Sequence, residues 1–202
     1  MSHPALSSAP DACAVAFKEW AGVCDALADG RQCLLLRKGG IAEGPGGFRP
    51  EHPAFWLYPT AVHQAEQGLR VPVHAPPADR AERVGLRALA VVAEAAYIDR
   101  EDALAALERF HVWTSETVSR RFHYRAPGLW VLGVRVYRRA EPWPIPIAPE
   151  HAGCKTWVPL DAPPPTSGLV PALDDAEFTR QMAELRAASG ASAGAGAGGF
   201  RP

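Results

Sequence analysis

Apolar residues recur along this chain at two different spacings, and the change of spacing marks its elements. Cys13, Phe17, Trp20, Cys24, Leu27 and Ala28 stand three or four positions apart, with Lys18, Glu19 and Asp25 off that stripe. This predicts an amphipathic helix that starts at Asp11 as N-cap and ends at Gly30. Gln32 to Arg37 reads as a short buried strand, and Lys38 to His52 as a loop with five Gly and two Pro. A loop of that length inside a compact domain points to function or disorder. Ala54 to Tyr58 predicts a second strand, and Thr60 a cap for a short helix through Gln67, closed by Gly68. Leu69 to Asp79 is Pro-rich loop. Leu86 to Ile98 is ambiguous, because its Ala favours helix while Val91, Val92, Tyr97 and Ile98 allow strand.

Asp99 is expected to cap a helix presenting Leu104, Leu107 and His111, and Thr114 or Ser115 to start another carrying Val118 and Phe122. Leu129 to Arg138, rich in Val and Leu and entered through Pro127-Gly128, is the clearest strand. Thr156 to Leu160 predicts a last short one. These elements define a domain over residues 11–161, preceded by a disordered leader at 1–10. A Pro-rich linker follows at 162–173, then a helix at 174–188 begun by the Asp174/Glu177 capping box with Phe178, Met182 and Leu185 on one face. Residues 189–202 form a Gly/Ala tail expected to be disordered. Without regular βαβ alternation, the order argues α+β, a single domain whose mixed sheet curls toward a barrel and is packed by helices. In outline it resembles small PUA-like and ASCH-like barrels, a fold-level analogy only. The Trp157 to Leu160 strand followed by a helix is also Nudix-like, but the acidic Nudix helix is missing.

Composition changes this picture in several places. The net charge of −1 provides no global field toward nucleic acid or anionic membrane, so any anion recognition must be local. The chain has no Asn and three Lys against eighteen Arg, the bias of a GC-rich genome. Lys18 and Lys38 therefore carry more information than any one Arg. Cys13, Cys24, Cys33 and Cys154 lack C-x-x-C spacing, which argues for buried thiols in a reducing compartment and against a zinc site. No signal peptide or spanning helix is evident, so a cytoplasmic location without membrane association is expected.

The candidate chemistry is concentrated in a few segments. Arg37-Lys38-Gly39-Gly40 combines two cations with backbone N–H groups unobstructed by Cβ, a turn able to cradle an anion, though not a Walker motif. His63 is the best acid/base candidate, with Glu43 as its partner if the protein is an enzyme, and Thr60 and Gln64 would line the same pocket. No Ser-His-Asp triad or PD-(D/E)xK nuclease site is visible, and no metal or other cofactor is expected. From Thr117 to Ala140 there are six Arg and no acid, interleaved with Phe122, Tyr124, Trp130 and Tyr137. Alternation places Arg135, Tyr137 and Arg139 on one strand face, where they could contact phosphates and a base, unless Glu94, Glu108 or Glu141 neutralises them.

Lys18-Glu19-Trp20, Leu34-Leu35-Leu36-Arg37-Lys38-Gly39-Gly40-Ile41, Phe55-Trp56-Leu57-Tyr58-Pro59-Thr60 with His63-Gln64, His111-Val112-Trp113-Thr114 and Leu129 to Tyr137 together resemble the bacterial domain of unknown function 1802 (DUF1802) family, over roughly residues 13–160. The resemblance inclines Leu86 to Ile98 toward strand. It also implies a role in restriction-modification or DNA metabolism, with restriction-system proteins as partners. The leading expectation is a binding module for DNA or RNA; the alternatives are a small hydrolase of nucleotide or phosphate-containing substrates and a structural adaptor without catalysis.

Overall fold

The structure is a computed structural model, and it describes residues 8–38, 48–60, 68–72, 82–151, 153 and 155–190. It shows a mixed α+β domain built on one seven-stranded sheet. Its elements run β1 (Val15–Trp20), α1 (Ala21–Ala28), β2 (Leu34–Arg37), β3 (Ala54–Thr60), β4 (Arg83–Ile98), α2 (Asp102–Leu107), α3 (Ser115–His123), β5 (Leu129–Pro146), β6 (Trp157–Pro159), β7 (Val170–Pro171) and α4 (Asp175–Ser189). The strands lie in the order β2-β5-β4-β3-β1-β6, with β7 also on β5. Among the described residues β2 and β6 remain edges, so no backbone ladder closes the sheet into a barrel.

The first half of the predicted N-terminal helix is a strand. β1 pairs in parallel with β3, Ala16 opposite Trp56 through Trp20 opposite Thr60, and antiparallel with β6. Ala16, Phe17 and Glu19 are all buried, so both faces of β1 are covered and the alternation that would reveal a half-exposed strand is absent. The helical spacing is real only from Ala21 onward. There Val23, Cys24, Leu27 and Ala28 are buried, and a Schellman turn ends the helix: Gly30 N–H donates to Leu27 O (3.2 Å) and Arg31 N–H to Ala26 O (2.9 Å). Gly30 sits at φ 72°, where a Cβ would lie 2.8 Å from Leu173 Cδ2.

Leu86 to Ile98 is strand, inside β4. β5 runs on past Arg138 to Pro146, through Pro142, Pro144 and Pro146. The spacing of two turns all three ring nitrogens the same way, and among the described residues this stretch pairs with β4 alone, so the missing N–H groups fall on the side away from β4. β3 extends through Thr60, and the short helix expected to follow it through Gln67 lies outside the described residues. The helix expected to carry His111 ends at Leu107; a 3-10 turn over Glu108–Phe110 follows and leaves His111 extended. Thr114 caps α3, accepting the Thr117 N–H at 3.3 Å. The 162–173 segment contributes β7, opposite Tyr137 and Arg138. Asp174 caps α4, whose Phe178, Met182 and Leu185 join the core that also buries α1, β2 and β5.

Candidate functional site

One end of the curled sheet gathers most of the polar motif residues. Parallel pairing brings Trp20 at the end of β1 beside Thr60 at the end of β3, and the antiparallel partner β6 enters at the same end. Arg37, the last residue of β2, reaches into this group. Its Nη2 donates to Lys18 O (2.9 Å) and Thr156 Oγ1 (3.2 Å), and its guanidinium lies 4.5 Å from the Phe17 ring centre. Its Nη1 stands 3.9 Å from Glu19 Oε2, an ion pair without a hydrogen bond.

Glu19 is almost completely buried, its side chain 1% exposed. Oε1 accepts the Trp20 N–H at 2.8 Å, and the Glu19 carbonyl accepts from Thr60 Oγ1 at 3.2 Å. Above it Arg121, from α3, is held between the Trp20 and Trp113 rings at 4.4 and 4.9 Å and donates to Leu36 O at 3.4 Å. Burial lowers the Arg121 pKa to about 10; Glu19 opposes this while Arg37 and Arg120 add to it. Three buried polar atoms here have no hydrogen-bond partner among the described residues: Glu19 Oε2, Arg37 Nε and Trp113 Nε1. Buried polar atoms are paired in the great majority of cases, so the group calls for a physical reason.

Lys38 has a different task. Its ammonium donates to Phe122 O at 3.0 Å and to the carbonyls of Ala126 and Gly128, the turn that follows α3. It thereby ties the end of β2 to the last turn of α3 and the turn after it, beside the Gly128 N–H that Phe122 O also accepts at 3.1 Å, and burial lowers its pKa. Lys18 likewise donates to His151 O and, at 3.0 Å, to Gly153 O. The two residues expected to hold phosphate, Arg37 and Lys38, thus bind backbone carbonyls and tie strand ends together.

The remaining expected residues fall elsewhere. Gly39, Gly40, Glu43, His63 and Gln64 lie outside the described residues. Arg37 is opposite Trp130 in the β2–β5 ladder, so alternation sets Arg135, five positions further along β5, on the other face. Arg135 is buried there beneath α4, paired with Asp175, bonded to Asp174 O at 3.3 Å and 4.7 Å from the Phe178 ring. Arg139 donates to Pro165 O (3.1 Å) and covers Trp143 (5.0 Å), while Tyr137 is half-buried opposite Pro171 in β7. Neither arginine joins Arg37. Of the acids able to neutralise the basic segment, Glu94 pairs with Arg186 and Glu108 with Arg70.

What the sequence pattern did not single out is the turn between α3 and β5. Tyr124, 46% exposed, and Tyr97, 51% exposed, flank it. Tyr97 bonds Pro127 O at 3.4 Å and meets the half-buried Trp130 edge-on at 5.7 Å. Arg125 stands over the Tyr124 ring at 5.1 Å. It adopts φ 65°, the only positive φ among the described non-Gly residues. Arg120 and Arg125 are exposed and form no ion pair among the described residues, whereas His123 faces Glu101 at 3.4 Å. The density of Arg and aromatics after Thr117 was the signal for this face, but its exposed members could not be told from buried ones.

Among the described residues no group of three or more His, Cys, Asp or Glu could hold a metal ion, and no helix is long and apolar enough to cross a membrane. No curated protein matches the chain. Among solved structures, ASCH from Zymomonas mobilis is similar at 12% identity and a TM-score of 0.40, over 85% of this chain and 94% of that one. A mutant of the same protein overlaps at 14% identity and a TM-score of 0.38, over 88% of this chain and 99% of its own. Likeness at this level assigns no function. The model of the domain of unknown function DUF1802 matches residues 16–184, most of the chain, and the protein belongs to that family.

Proposed function

We propose that this protein is a nucleic-acid-binding module whose contact face is the turn between α3 and β5. The observation that carries the reading is the pair of exposed cations that form no ion pair among the described residues, Arg120 and Arg125, near the exposed rings of Tyr97 and Tyr124. Exposed cations bind phosphates, and exposed rings stack on unpaired bases of any sequence. A net charge of −1 leaves little long-range attraction, so affinity depends on this local patch. Arg125 supports the reading further. Left-handed backbone at a residue with a Cβ costs about 1–2 kcal/mol, and strained positions of this kind concentrate at binding sites.

Fluorescence anisotropy with single-stranded DNA, duplex DNA, base-modified DNA and RNA at several salt concentrations tests the proposal. Binding should weaken with salt, with a log–log slope of about −0.7 per phosphate contacted on a single strand. The Arg120→Ala/Arg125→Ala double variant should lose affinity and flatten that slope. A preference for modified over plain DNA would connect the module to restriction-modification, as the family resemblance implies. No binding at low salt would overturn the reading. Turnover of a phosphate-containing substrate, lost in Glu43→Ala or His63→Ala, would favour the small hydrolase in its place.

A further inference from the structure

We propose that the turn between α3 and β5 is a preformed stacking platform that takes single-stranded nucleic acid in preference to duplex. This rests on the nucleic-acid reading above and names the ligand of that same face as unpaired bases carried on a phosphate backbone. The turn is fixed by its own hydrogen bonds and from β2. Tyr124 N–H donates to Arg121 O (3.3 Å), Ala126 N–H to Tyr124 O (2.9 Å) and Gly128 N–H to Phe122 O (3.1 Å), while the Lys38 ammonium holds Phe122 O, Ala126 O and Gly128 O. The Ala126 bond closes a three-residue γ-turn around Arg125, and φ 65° at its centre makes this the rare, strained form. The Arg125 guanidinium lies over the Tyr124 ring, 5.1 Å from its centre. Tyr97 is held from the end of β4. Its hydroxyl donates to Pro127 O at 3.4 Å, its ring meets Trp130 at 5.7 Å, and Gly128 passes so close that a Cβ there would lie 2.3 Å from the hydroxyl oxygen.

Both rings nevertheless keep about half of their surface open to solvent. A side chain that a ligand covers normally loses rotamer freedom on binding; Tyr97 has lost it beforehand, so a base meets a ring already in position. Charge then separates single strand from duplex. Arg120 and Arg125 form no ion pair among the described residues, but acids border them: Glu101 stands 3.4 Å from His123, and Asp99 directly follows the Ile98–Leu129 pair at the base of the turn. With two phosphate contacts, raising salt about fourfold weakens single-strand binding by only about sevenfold, whereas each stacked base adds about 5- to 100-fold. Stacking is therefore the larger contribution. A duplex offers this face phosphates alone, because its bases are paired and stacked on one another; a single strand offers phosphates and bases together.

The experiment is fluorescence anisotropy of the full chain with four labelled probes: a single-stranded DNA of mixed sequence, the RNA of the same sequence, the blunt DNA duplex, and an abasic strand of equal length and charge. The DNA or the RNA strand should bind about tenfold or more tightly than both the abasic strand and the duplex, and the tighter of the two identifies the source of the unpaired bases. Tyr97→Phe should keep that affinity within about twofold, and Tyr97→Leu should lose about fivefold or more, because leucine fills the same place without a π face. A ring needed only for the shape of the turn would not divide the two variants in this way. Abasic or duplex binding equal to that of the single strands overturns the platform, as does Tyr97→Leu binding like Tyr97→Phe. If Tyr97→Leu does not fold, the abasic and base-bearing strands decide with the unmodified protein. Salt-sensitive binding of all four probes alike would remove the platform and leave the phosphate face standing; binding of none would remove both.

Discussion

Arg37 Nη2 lies 2.9 Å from the carbonyl oxygen of Lys18, so the end of β2 is tied to β1 although β5, β4 and β3 stand between them in the sheet. One guanidinium thus spans an opening that no backbone ladder closes, while its face rests on Phe17.

Replacing it by lysine keeps the charge and removes the planar fork that reaches Lys18 O and Thr156 Oγ1 together. Arg37→Lys should lower stability by about 2 kcal/mol, the scale of a hydrogen-bonded charge lost from a partly buried site. Urea denaturation gives the value as a reduced midpoint at unchanged slope.

Arg125 separates stability from binding. Arg125→Gly relieves the left-handed backbone at φ 65° but adds the chain entropy of glycine. The balance should raise stability by about 0.5–1 kcal/mol. The same variant should bind single-stranded DNA more weakly, as read by anisotropy. A variant of unchanged stability and unchanged binding would show that the conformation has no bearing on the contact face.

Gly128 supports Tyr97. At φ 122° it occupies a region that L side chains rarely adopt, and a Cβ there would lie 2.3 Å from the Tyr97 hydroxyl oxygen. Gly128→Ala should cost about 2 kcal/mol or more from strain and overlap combined. It should also displace Tyr97, visible as increased tyrosine accessibility together with weaker oligonucleotide binding.

His111 predicts a pH dependence. Burial, followed by the nearby Arg70 cation, lowers its pKa from 6.5 to about 4, and Nδ1 has no hydrogen-bond partner among the described residues. The unfolded chain therefore binds a proton at this residue below about 6.5 that the folded chain refuses until about 4. Stability should fall as pH decreases through that window, by at most about 3 kcal/mol for this group. His111→Gln should flatten the profile between those limits, measured by denaturation at each pH.

Local signals were enough for the parts of the fold whose stabilising bonds are close in sequence. The Asp174/Glu177 start of α4 and the Thr114 start of α3 were readable because a cap and its recipient N–H stand three residues apart. The core face of α4 followed from the spacing of Phe178, Met182 and Leu185. The strand Leu129 to Arg138 was readable from its β-branched run, and the α+β class from the order of elements. Lys18, Glu19, Arg37 and Thr60 were already conspicuous as motif residues.

Only the tertiary structure decided what those residues face. β1 was hidden because a strand covered on both sides shows no alternation, and Phe17 and Trp20 happen to fit a helical spacing. Arg135 is neutralised by Asp175, forty residues away along the chain, and Lys38 is taken up by carbonyls more than eighty residues on. Glu19 and Arg37 meet because the sheet curls, not because of any spacing between them. Sequence fixes which side chains have a charge, a ring or a propensity. Pairing and burial arise from contacts between distant segments, and those contacts decide which charge becomes a clamp and which is left exposed.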